Sequence, residues 1–94
     1  MKNKAIYQKQ PRKTEPTIPE SLLFIGKQME KIRFNKGLNQ VEINRLCIKN
    51  STSYRITPNA LCQYENGMRI PTMQALSTFI QIMGITWSQF FEGV

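Results

Sequence analysis

The sequence predicts an all-α domain built from five short helices. Apolar residues recur three and four apart in separate stretches, which is the spacing of a helix face. The stretches are bracketed by residues that start and stop helices. Asn39 with Glu42, Thr57 with Pro58, Thr72, and Thr86 with Gln89 stand at starts, and Gly37, Asn66-Gly67 and Gly84 stand at ends. No pair of alternating apolar and polar runs reads as a hairpin. With 94 residues there is room for one core and none for a large catalytic cleft.

Residues 1–19 read as a basic, flexible arm, because Pro11, Pro16 and Pro19 interrupt any helix and apolar residues are few. The domain proper spans 20–94. The first helix is expected from Glu20 to Lys36, with Leu22, Ile25, Met29 and Ile32 on one face, and Gly37 suits the left-handed position after its end. The second starts behind Asn39 as N-cap, with Glu42 as capping-box partner. It carries Val41, Ile43, Leu46 and Cys47, and fades near Ile48. Residues 49–56, KNSTSYRI, read as a polar turn. Thr57 caps the third helix, Pro58 takes its first position, and Asn66-Gly67 ends it. The fourth follows Thr72 with Met73, Leu76, Phe79, Ile80 and Met83 as its apolar face, ending at Gly84. The fifth opens with the Thr86/Gln89 capping box and carries Phe90 and Phe91.

Thirteen Lys and Arg against six Glu give a formal charge of +7. Five bases face one acid in residues 1–19, and eight face five in the remainder, so a basic arm joins a mildly basic body. Such a balance suits a polyanion, nucleic acid before an acidic membrane surface. His and Asp are both absent, which removes His-based triads, His-ligated metals and Asp dyads. Cys47 and Cys62 are too few for a zinc site and read as reduced thiols in or near the core. There is no Gly-rich phosphate loop and no nucleophile–base pair, so no enzyme and no cofactor are expected. No apolar run approaches the roughly 18 residues of a membrane span. The first residues, MKNKAIYQKQPRK, have charge without an apolar stretch and do not read as a secretory signal.

The third helix divides by its wheel into Ala60, Leu61 and Tyr64 on a core side, and Asn59, Cys62 and Gln63 on an outward side. A carboxamide offers one donor and one acceptor together, the complement of the adenine edge in the major groove. Arg33 lies at the edge of the first helix's apolar stripe, and a guanidinium there needs a partner. Glu65, at the corresponding edge of the third helix, is the expected one, so the pair would fix the third helix against the first.

The stretches IGKQMEKIR (25–33), KGLNQ (36–40), TPNALCQYENG (57–67), IPTMQAL (70–76) and GITWSQFF (84–91) together resemble the Xre/Cro family of helix-turn-helix DNA-binding domains. The resemblance implies a compact five-helix lambda-repressor-like fold, with the recognition helix at about 58–65. It implies that Pro58, Asn59, Cys62 and Gln63 face base edges. It places Asn39 and Gln40 at a phosphate, Gln40 also bracing the recognition helix, and Asn66 at the start of a loop whose backbone N–H groups meet phosphate. Arg33 and Glu65 match the family's internal pair, and the helix holding Trp87, Phe90 and Phe91 matches a dimer contact. Two departures stand out. Pro58 replaces a hydrogen-bonding residue, which shifts base reading toward Asn59 and Gln63. The turn between the second and third helices is lengthened by roughly seven residues, at a closure cost of only about 1 kcal/mol.

Phosphate contacts are further expected from Arg69, from Lys49 and Arg55 in the lengthened turn, and from Lys9, Arg12 and Lys13 in the arm. The implied function is a sequence-specific double-stranded DNA-binding regulator, a repressor acting as a homodimer in the cytoplasm of a bacterium or on a phage or mobile element. An antitoxin or antirepressor that grips another protein, and an accessory DNA-binding protein of a mobile element, are the competing expectations. RNA and membrane partners find no support, because the aromatic residues read as core and the arm's prolines preclude an amphipathic helix.

Overall fold

In a computed structural model, residues 18–92 are described. Lys9, Arg12 and Lys13 of the expected arm lie outside the described residues. Five helices follow in order: α1 (Glu20–Asn35), α2 (Gln40–Lys49), α3 (Pro58–Glu65), α4 (Met73–Met83) and α5 (Trp87–Phe91). No strand forms among the described residues, so the domain is all-α. No helix there is long and apolar enough to cross a membrane.

Local chemistry sets nearly every helix start. At α2 the Asn39 side chain accepts from the Glu42 N–H at 2.8 Å, while the Glu42 carboxylate accepts from the Asn39 N–H at 2.7 Å. Thr57 and Thr72 accept from Ala60 and Ala75 at the heads of α3 and α4. Thr86 and Gln89 repeat the reciprocal arrangement at α5. The exception is α1, where Pro19 precedes the first turn without a side-chain cap. At the end of α3 the chain reverses through Gly67, whose φ of +72° suits glycine and whose missing Cβ would stand 3.0 Å from Leu23 Cδ2.

Packing joins α3 to α1 and α2, and α2 to α4. Met29, Ile43, Leu61, Tyr64, Phe79 and Phe90 are among the largest fully buried side chains of the core. Phe90 meets Phe79 edge-to-face at 6.3 Å, and Gln28 Nε2 donates to the Phe90 carbonyl at 2.8 Å, which ties α5 to α1. Gln28 is buried, an amide inside the face that apolar spacing alone assigns to hydrocarbon.

Of the apolar residues that α2 carries, Val41 is exposed: it precedes the buried Ile43 by two residues, about 200° around the helix, so both cannot face the core. Two sequence expectations are corrected here. Met73 is 70% exposed, because the first turn of α4 stands at the mouth of a cleft, while Ala75 and Thr78 are buried farther along. The segment 49–56 is more than a polar turn. Lys49 completes α2, and Ile56 is fully buried. The turn is held to the body at several points. Asn50 Nδ2 donates to the Leu46 carbonyl at 2.8 Å, and Asn44 Nδ2 to the Ile56 carbonyl at 3.0 Å. The Thr52 hydroxyl lies between the carbonyls of Cys47 and Tyr54, at 3.2 and 2.6 Å. Ser51 adopts a left-handed φ of 52° to make the reversal. Tyr54 then packs on the core, and with Ser53, Met73 and Trp87 it borders an open cleft of about 480 Å³.

The Tyr64 hydroxyl is buried without a hydrogen-bond partner. Burial, and secondarily the nearby Tyr54 phenol, raise its pKa above the ordinary 10.0. Below pH 10 the phenol is neutral in both states and costs nothing in charge; above it the unfolded chain ionises first, so stability falls until pH passes the folded value. Tyr64→Phe is therefore expected to flatten the loss of stability above pH 10 in urea-unfolding series. At neutral pH it should stabilise the domain by about 1 kcal/mol, because it removes an unsatisfied buried group.

Candidate nucleic-acid interface

The outward side of α3 is short, uncharged and partly amide. Asn59 is exposed, and Pro58, Cys62 and Gln63 are half-buried. Ala60, Leu61 and Tyr64 turn inward, as does Glu65. Asn59 and Gln63, four residues apart, lie one above the other along the helix.

The Glu65 carboxylate, 1% exposed, fixes the orientation of that face. It accepts from Arg33 Nε and Nη2, both at 2.8 Å, and from Gln40 Nε2 at 3.0 Å. Arg33 spends its remaining Nη1 on the Leu38 carbonyl at 2.8 Å and lies 4.5 Å from the Phe34 ring centroid. Its pKa is raised, first by the hydrogen bond to Glu65 and then by that carboxylate's charge, with burial opposing both. Residues from α1, α2 and α3 thus converge on one carboxylate. An acid in the last turn of a helix is opposed by the helix dipole, and the guanidinium offsets that cost. Gln40 donates to Glu65 from the first position of α2, so part of its amide is committed inside the domain.

Beyond α3 the chain folds back on the helix it has just left. The N–H groups of Asn66 and Gly67 donate to the carbonyls of Cys62 and Tyr64, at 3.0 and 3.2 Å. Those of Met68 and Arg69 both donate to the Gln63 carbonyl, at 2.8 and 3.3 Å. This corrects the expectation of a phosphate-binding backbone after Asn66: those four N–H groups are already engaged, and side chains are what the loop can offer. Of these, the Asn66 amide donates to Cys62 Sγ at 3.2 Å. Arg69 Nη1 donates to Gln63 Oε1 at 2.9 Å, and its guanidinium lies 5.4 Å from the Tyr64 ring centroid.

Three other expected contacts are exposed. Asn39 is exposed, with its side-chain oxygen used in the cap. Lys49 and Arg55 are exposed at either end of the tethered turn. Among the dimer candidates Phe90 is fully buried, so it completes the core and cannot meet a second subunit. Trp87 is 40% exposed and stacks on the half-buried Phe91 at 6.4 Å, with Phe24 edge-on to Phe91 at 6.0 Å. Cys47 is buried and Cys62 half-buried, both as free thiols, and no group of metal-ligating side chains forms among the described residues.

Sequence reasoning misses the Gln63–Arg69 contact. The one signal for it was Gly67 between them, which lets the chain reverse and return residue 69 to the helix. It also misses Gly26, where an added Cβ would stand 1.8 Å from the Tyr64 carbonyl oxygen of α3, a close approach that leaves no periodic trace.

No family model, curated protein or solved structure matches the chain.

Proposed function

We propose that this protein binds double-stranded DNA in a sequence-specific manner, with α3 entering the major groove, and acts as a transcriptional regulator of the repressor type. The observation that carries this reading is the outward side of α3. It presents amides and no charge, and a buried three-residue network holds its far side rigidly against α1 and α2. Rigid presentation matters because base recognition needs hydrogen-bond geometry that a mobile side chain reaches only at an entropic cost. Exposed Lys49 and Arg55 supply positive charge for the phosphates, which gives affinity and salt dependence without sequence choice. The motif resemblance noted in the sequence, a lambda-repressor-like helix-turn-helix, points the same way. Trp87 and Phe91 are the surface on which a homodimer would join two half-sites about one helical turn apart.

The test is selection of bound duplexes from a random pool, repeated with Asn59→Ala and Gln63→Ala. The expected result is a defined consensus for the wild type. Each variant should lose about 1–3 kcal/mol of discrimination at one position and keep its weak, salt-sensitive binding to other duplexes. Absence of any enrichment at low salt would overturn the reading and favour a protein partner for the same face.

A further inference from the structure

We propose that Arg69 reads a base, and that the Gln63–Arg69 pair selects guanine at the position a lone glutamine would assign to adenine. The inference rests on the DNA-binding reading above and deepens it by naming the target base.

An unengaged glutamine presents a donor and an acceptor side by side, which matches adenine N6 and N7. Gln63 is not unengaged: its Oε1 accepts from Arg69 Nη1 at 2.9 Å. One lone pair of Oε1 is thereby spent beside a guanidinium, so the Gln63 NH₂ and the Arg69 N–H groups that have no partner among the described residues make the pair predominantly a donor. Among the four bases only guanine shows two adjacent acceptors, O6 and N7, in the major groove. Adenine and cytosine show a donor there, and thymine a methyl. The pair is therefore complementary to guanine and mismatched to the other three.

Phosphate is also an acceptor, and Arg69 is a natural phosphate candidate from its place in the chain. The anchoring of Arg69 decides between the two roles. Its N–H donates to the Gln63 carbonyl at 3.3 Å, its Nη1 to the Gln63 side chain, and its guanidinium lies against the Tyr64 ring. These three attachments are all to α3, and one is to the side chain that shares a stripe with Asn59. Arg69 is thus held as part of the reading face. A guanidinium fixed before contact loses less freedom when it forms its fork on a base edge. Along that face Asn59, whose amide makes no hydrogen bond among the described residues, retains the adenine pattern one helical turn away from the guanine-selecting pair.

The experiment uses the full chain and the duplex recovered by selection. Each guanine in that duplex is replaced in turn by 7-deazaguanine, which lacks the N7 acceptor, and by adenine. Binding is measured for the wild type, Asn59→Ala and Arg69→Ala. Arg69 is exposed, so its truncation is expected to leave the thermal midpoint unchanged. The expected result is one guanine whose 7-deaza replacement weakens wild-type binding by about tenfold or more. Arg69→Ala should lose roughly tenfold to a hundredfold on the unmodified duplex and bind better, not worse, when adenine replaces that guanine, because Gln63 is then a lone glutamine. A uniform loss on every duplex, with the salt slope reduced by about one, would make Arg69 a phosphate residue and overturn the proposal, while Asn59→Ala still changes the consensus. A wild type that enriches no sequence would overturn the DNA-binding reading itself, and this inference with it.

Discussion

Arg33→Ala and Glu65→Ala are each expected to destabilise the domain by about 3–5 kcal/mol, and the double variant by little more than either alone. The cause is less the lost attraction than the charge left behind. With Arg33 gone, Glu65 stays 1% exposed with only the Gln40 amide. With Glu65 gone, a 6% exposed guanidinium keeps only the Leu38 carbonyl. Small domains have total stabilities of about 5–15 kcal/mol, so either single change would populate the unfolded state measurably. Urea unfolding of the four proteins gives the coupling directly, and full additivity would remove the pair as an energetic unit. Replacing both residues together with apolar ones, Arg33→Met with Glu65→Leu, is expected to be close to neutral, because neither partner is left uncompensated. That variant also separates stability from function. If the pair serves to orient α3, the apolar version should fold yet bind DNA with relaxed sequence preference.

Gly26→Ala is the second large effect, and its sign runs against local propensity. In the interior of a helix the change would ordinarily stabilise by about 1 kcal/mol. Here the new Cβ would stand 1.8 Å from the Tyr64 carbonyl oxygen and 2.7 Å from its carbon. Both atoms are backbone of α3, so relief requires moving one helix off the other. Overpacking a close interface typically costs about 1–3 kcal/mol, and with a rigid backbone on both sides the upper end or beyond is expected. The same displacement would stretch Arg33 away from Glu65, since both contacts lie between α1 and α3. A lowered urea midpoint with an unchanged slope is the expected result. An increase in stability would show that α1 and α3 do not approach this closely.

The candidate site was legible in part, for reasons that differ residue by residue. Arg33 and Glu65 could be paired from sequence because each lies at the margin of an apolar stripe, where a charge has few ways to be satisfied. Asn59 faces outward because Ala60, Leu61 and Tyr64 claim the opposite side of a short helix. Arg69 read as a phosphate contact, since Gly67 signals that the chain reverses but not which side chain of α3 the returning residue meets. Phe90 and Trp87 are both large, apolar and near the C-terminal helix. Burial of one and exposure of the other depends on where α5 rests against Gln28 and Phe79.

Helix positions and ends were written locally in this chain. A capping threonine, a reciprocal Asn39–Glu42 bond or a glycine with positive φ acts over three or four residues, and such contacts can be read from adjacent letters. Which faces meet is a different matter. Gln28 bonds a carbonyl 62 residues away, and Arg33 reaches a carboxylate 32 residues away. Gly26 matters through the backbone of α3 at Tyr64, far along the chain. Those choices emerge when five short helices pack around one core, because close packing admits few arrangements and settles the partners of buried polar groups together, the Tyr64 hydroxyl excepted.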